Sequence, residues 1–96
     1  MTLEEYEAWV QQAAPRDRVT YYVGELAKDR VRPVPHPEIA GWYLDEPVEP
    51  LYSLAARIWA DYELGLVVMT QGALWAIRPD GSRQFEYYVS RTSKEL

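Results

Sequence analysis

The chain has 96 residues, of which 48% are hydrophobic and 26% charged, with a net charge of −5 and no cysteine. That supply of apolar side chains supports a single packed domain over residues 1–96 and excludes wholesale disorder, while the missing cysteines exclude a disulfide framework and any thiolate metal site. No apolar run approaches the roughly 18 residues of a membrane span, and the acidic amino terminus lacks the basic flank and apolar core of a signal peptide, so no membrane contact and a cytoplasmic location are expected.

Thr2-Leu3-Glu4-Glu5 reads as a capping box, in which the Thr2 hydroxyl accepts from the Glu5 amide and the Glu5 carboxylate reaches back. Leu3, Tyr6, Val10 and Ala13, helped by Trp9, follow at helical spacing, and Pro15 ends the run, which predicts a helix over 3–13. Arg18 to Leu26 alternates and is rich in β-formers, predicting a strand with Val19, Tyr21 and Val23 on one face. Leu26 to Arg32 has room for one short helical turn. Residues 33–50 then hold five of the seven prolines (Pro33, Pro35, Pro37, Pro47, Pro50). Such density forbids a helix and predicts a long Pro-rich, acidic loop.

Pro50 suits a helix start, Leu51, Leu54, Ala55, Ile58 and Tyr62 form an apolar stripe widened by Trp59, and Gly65 supplies the stop. A second helix is therefore expected within 50–64. Leu66–Thr70, Leu74–Arg78 and the alternating Phe85, Tyr87 and Val89 read as strands, with Gly72 a bend, bulge or turn and Pro79-Asp80-Gly81-Ser82 a turn. The end of the chain is thus one bulged hairpin or a three-stranded meander, with 92–96 a frayed tail. The expected class is α+β: helix, strand, long Pro-rich loop, helix, then antiparallel hairpin or meander, winged-helix-like in order.

Catalytic vocabulary is thin. His36 is the sole histidine, set between two prolines with no recognisable nucleophile nearby. Asp61 and Glu63, two residues apart on a helix, point to different faces and cannot readily form a carboxylate dyad. No ligand spacing suits a metal and no glycine-rich loop suits a phosphate. The expectation is a non-enzymatic protein without cofactor or metal. Trp9, Trp59 and Trp75 are assigned to the core.

Charge is distributed in blocks. Residues 1–15 carry three acids and no base, 16–32 five bases against three acids, and 33–49 four acids (Glu38, Asp45, Glu46, Glu49) with no base. A duplex-DNA binder needs a basic stripe for its phosphate contacts, so this field argues against direct nucleic-acid binding. The rival reading makes residues 50–64 a winged-helix recognition helix, with Arg57, Arg78 and Arg83 as the DNA contacts. One base against Asp61 and Glu63 on that helix is poor equipment for reading a groove.

The stretch from Glu38 to Glu49 joins Trp42 and Tyr43, residue types favoured as interface anchors, to Asp45, Glu46 and Glu49. Either it is a preordered acidic lip for a basic partner, or a loop whose Trp42 covers the core while its acids are solvated. Tyr21-Tyr22 and Tyr87-Tyr88 should each place one ring inside and one outside. An exposed pair on neighbouring strands would form an aromatic patch through which a homodimer could also assemble.

The segments Tyr21-Tyr22-Val23-Gly24-Glu25-Leu26-Ala27-Lys28-Asp29-Arg30, Leu54 to Gly65 and Phe85-Glu86-Tyr87-Tyr88 resemble small accessory proteins of phages and prophages. The resemblance spans about two thirds of the chain and includes no catalytic motif. It implies a regulator, or an inhibitor of host defence of the anti-CRISPR type, acting in the host cytoplasm on a host protein or protein–nucleic acid complex. Trp42, Tyr43, Asp45, Glu46 and Glu49 are the expected partner-binding residues on the reading of the acidic block.

Overall fold

The computed structural model describes residues 1–77, 79, 81 and 83–95, the side chains at 75–77 and 83 excepted. Among them the elements run α1 (Leu3–Gln12), β1 (Arg18–Gly24), α2 (Leu26–Asp29), β2 (Val31–Pro35), β3 (Tyr43–Pro47), α3 (Leu51–Glu63), β4 (Val67–Ile77) and β5 (Arg83–Arg91). Mixed helices and antiparallel strands make an α+β fold, with one sheet ordered β1-β5-β4 and a separate two-stranded sheet of β2 and β3.

α1 starts on the capping box: the Thr2 amide donates to Glu5 Oε1 at 2.9 Å and the Glu5 amide to Thr2 Oγ1 at 3.1 Å. The Thr2 amide, joined by the Thr2 hydroxyl, holds the Glu5 carboxyl below its ordinary range. α1 and α3 then lie against the three-stranded sheet. Tyr6 and Val10 from α1, Leu54 and Ile58 from α3, and Tyr21, Leu66, Val67 and Val89 form the buried cluster. Val19, Val89 and Met69 are register partners across the sheet and line its helix-covered side.

β1 departs from simple alternation. Its register steps from Thr20↔Tyr88 to Tyr22↔Tyr87, so Tyr21 is the extra residue of a bulge. Tyr21 is buried, Tyr22 also packs against the core, and Val23 turns out to solvent, which corrects the expected inward row of Val19, Tyr21 and Val23. Both tyrosines approach Tyr87, with ring centroids 6.2 Å apart in each case. Tyr88 instead lies on the other face, under the Arg18 guanidinium at 4.3 Å. No exposed tyrosine pair forms there. A Cβ on Gly72 would meet the Tyr88 ring at 3.5 Å, and β4 runs through Gly72 without a break. The end of the chain is therefore a hairpin, with a register shift between Ala73 and Ile77, and not a meander. Of its connecting turn, Pro79 and Gly81 are described, Gly81 at φ +86°. Asp80 and Ser82 lie outside the described residues.

The Pro-rich segment corrects the expected loop. Residues 31–35 and 43–47 pair as an antiparallel ladder that follows directly on α2. The prolines permit this because of their parity. Val48 N donates to Arg30 O and His36 N to Trp42 O, both at 2.8 Å, so the even-numbered residues 30, 32, 34 and 36 occupy the hydrogen-bonded pairs. Pro33, Pro35 and Pro47 fall in the alternate pairs, where the missing N–H would have pointed away from the partner strand. Thr92, in the stretch read as a frayed tail, hydrogen-bonds to Leu66 O through its amide and to Gly65 O through its hydroxyl. Among the described residues no helix is long and apolar enough to cross a membrane.

Candidate interaction site

The β2–β3 hairpin brings four of the five expected contact residues together on β3 and its approach. Its tip is set by His36, whose Nδ1 accepts the amides of Glu38 and Ile39, each at 3.0 Å. Trp42 N donates to Ile39 O at 3.3 Å and closes the turn. The sole histidine is thus a turn-forming acceptor. Trp42 and Tyr43 are each 66% exposed, and Ile39 and Leu44 beside them are exposed as well. Trp42 therefore projects and does not cover the core.

The acids differ in their engagement. Glu46 sits opposite Arg32 in the ladder and forms an ion pair with it at 2.8 Å. The Arg32 guanidinium holds the Glu46 carboxyl below its ordinary range, and Glu46 in turn raises Arg32. Glu49 lies beyond the hairpin, just before α3, and accepts the Ser53 hydroxyl. Asp45 is exposed and makes no ion pair among the described residues.

Of the alternative DNA-contact residues, Arg57 is described in full. Its Nη1 is 3.0 Å from Glu7 Oε1 and its Nε 3.3 Å from both oxygens of Asp61. Asp61, only 4% exposed, also accepts the Tyr6 hydroxyl at 2.6 Å. Arg57 is thus committed to a network joining α1 and α3. Arg78 lies outside the described residues, as does the Arg83 side chain.

A second concavity lies where the sheet extends past α3. Leu26, Arg30, Trp59, Met69 and Tyr87 border a groove of about 410 Å³, and Trp59 and Arg30 also border a neighbouring one of about 390 Å³ beside Tyr52. Trp59, expected in the core, is 52% exposed, because Leu54, Ile58 and Asp61 take the inward face of α3. Tyr62 likewise turns outward, its ring 5.4 Å from that of Trp59. Trp9 packs against the core as expected, and the Trp75 side chain is not described. Sequence reasoning missed the burial of Asp61 and the outward turn of Trp59. The tyrosine at position 6, able to share one interhelical contact with an acid on α3, was the available signal for Asp61.

Among the described residues no group of three or more His, Cys, Asp or Glu side chains could hold a metal ion. No family model, curated protein or solved structure matches the chain.

Proposed function

We propose that this is a non-enzymatic binding protein that inhibits a host protein complex by occupying a protein surface or nucleic-acid channel with its β2–β3 hairpin. The observation that carries the reading is the exposure of Trp42 and Tyr43 at the tip of a hairpin that bears Glu38, Asp45 and Glu46 against the single base Arg32. Large aromatic rings left in water have no folding role to offset their exposure, and aromatic anchors beside Glu38 and Asp45, which hold no ion pair among the described residues, suit a basic, partly apolar surface. An anti-defence role of the kind suggested by the phage-protein resemblance fits such a device, since a cationic nucleic-acid channel offers that surface.

The rival reading has β4–β5 as the wing and α3 as the recognition helix of a winged-helix-like regulator that binds duplex DNA. Arg57, its helix contact, is engaged with Glu7 and Asp61, which weakens it. A tagged pull-down from bacterial lysate after nuclease treatment separates the two, run in parallel with a Trp42→Ala/Tyr43→Ala variant. A protein retained by the natural chain and lost from the variant, with the thermal midpoint unchanged, is the expected result. Equal retention by both chains overturns the hairpin assignment. Loss of every partner after nuclease, with salt-sensitive duplex binding by the purified protein, puts the DNA reading in its place.

A further inference from the structure

We infer that the hairpin captures its partner by strand addition along the outer edge of β3, taking an extended segment in which basic and apolar residues alternate. The inference rests on the proposed role of the hairpin and adds the recognition mode and partner chemistry. Its basis is an asymmetry between the two edges of the same two-stranded sheet.

In an antiparallel ladder the alternate, non-hydrogen-bonded pairs aim both N–H and C=O away from the partner strand. In the hairpin those pairs are Val31↔Pro47, Pro33↔Asp45 and Pro35↔Tyr43. Along β2 the outward positions are Val31, Pro33 and Pro35, so two of the three donors needed to accept a new strand are missing. Along β3 they are Tyr43, Asp45 and Pro47, and Tyr43 and Asp45 keep adjacent outward N–H groups. Neither amide has a hydrogen-bond partner among the described residues. One edge is closed by proline, and the other is open over the stretch that carries the exposed aromatics.

Side chains along the open edge specify the occupant. Tyr43 and Asp45 share one face of the ladder, and Trp42 and Leu44 the other. A strand added beside β3 would therefore place a cationic side chain next to the unpaired Asp45 carboxylate. Its neighbours in sequence would fall on the opposite face, beside the exposed Leu44 and Trp42. The segment's own acids reject an acidic strand. β4, which also edges a sheet, carries no charged residue between Val67 and Leu74 and so selects no partner charge.

The test uses the full chain and an array of octapeptides alternating Lys or Arg with Val, Ile, Thr or Tyr, with binding measured by fluorescence anisotropy. Asp45→Pro removes a single outward N–H at a position equivalent to those that Pro33, Pro35 and Pro47 already occupy, so the hairpin's own ladder keeps its bonds. Asp45→Ala removes the charge and leaves the N–H. Expected is binding by the natural chain, a modest loss in Asp45→Ala, and a further loss of about tenfold or more in Asp45→Pro. Slowed hydrogen exchange at the Tyr43 and Asp45 amides on peptide addition is the independent readout. Equal affinities of Asp45→Pro and Asp45→Ala, or no peptide bound by the natural chain, overturn strand addition. If the peptides still bind in a way that depends on Trp42, the anchoring role of the tip survives without it.

Discussion

The Asp61 carboxylate is nearly sealed from water and is tolerated because two donors converge on it. Tyr6 supplies a hydroxyl from α1 and Arg57 a guanidinium from the preceding helical turn. Removing the acid would leave a buried phenol without an acceptor and would release Arg57 from its second carboxylate. Asp61→Ala is expected to cost about 2–4 kcal/mol in urea denaturation, and a loss below about 0.5 kcal/mol would mean that the network does not join the helices. Burial, reinforced by the bond to Asp61, raises the Tyr6 phenol, and burial pushes Tyr21 up to about 12. Both groups keep their protons in the folded state to higher pH than in the unfolded chain, where tyrosine ionises near pH 10. Their contribution to stability is therefore complete below about pH 10 and declines as pH rises towards the folded-state values. Tyrosinate absorbance at 295 nm should show its last steps together with the loss of far-ultraviolet ellipticity. Complete ionisation before unfolding would contradict the burial of both rings. Arg91, 7% exposed, is satisfied differently, by the carbonyl oxygens of Val10, Leu66 and Thr92. It ties the end of β5 to the end of α1 and the start of β4.

At the scale of elements, local chemistry made some parts legible and topology hid others. The capping box, the Pro15 stop and the α3 stripe specify their helices from residues a few positions apart, and the structure follows them closely. The antiparallel strands at the end of the chain were legible from alternation, but the choice between hairpin and meander rested on whether β4 continues through Gly72, which only the pairing decides. The β2–β3 hairpin was not legible, because five prolines in residues 33–50 forbid a helix and, taken as a density, predict a loop. What permits the strands is the parity of Pro33, Pro35 and Pro47 relative to the ladder, a property of two segments in register. The bulge at Tyr21 was hidden for the same reason: both adjacent tyrosines can face the core only once β5 supplies Tyr87 between them. Within the candidate site, the juxtaposition of Trp42, Tyr43 and the acids was legible, but whether Trp42 projects or covers the core was settled only by its exposure. The division of the acids was not legible, because Arg32 meets Glu46 only through the pairing. If the prolines guard the β2 edge, Pro33→Val/Pro35→Val restores two outward donors and creates a second open edge. That variant is expected to self-associate with rising concentration in light scattering. A strictly monomeric mass at the concentration where the natural chain is also monomeric would deny the prolines that role.

The molecule as a whole is drawn out, with a radius of gyration of 15.7 Å and extents of 50 × 33 × 19 Å. A compact chain of about 100 residues has a radius near 13 Å, so elements must project from the packed layer of α1, α3 and the sheet. On the proposed binding role, an acidic hairpin on a molecule of net charge −5 would separate two physical contributions. Carboxylates act over roughly a Debye length and set how often a cationic partner arrives, while aromatic anchors act only on contact and set how long it stays. Glu38 and Asp45 hold no ion pair among the described residues, whereas Glu46 is paired with Arg32. Glu38→Lys/Asp45→Lys is therefore the charge reversal that spares the fold. Against the tightest peptide of the array, it is expected to lower the association rate about tenfold at low salt and to flatten its dependence on ionic strength. Trp42→Ala is expected to leave the association rate nearly unchanged and to raise the dissociation rate about tenfold. Stopped-flow fluorescence across a salt series measures both. If the two variants shift the same rate constant, steering and anchoring are not divided between the carboxylates and the ring, and the hairpin works as a single contact patch.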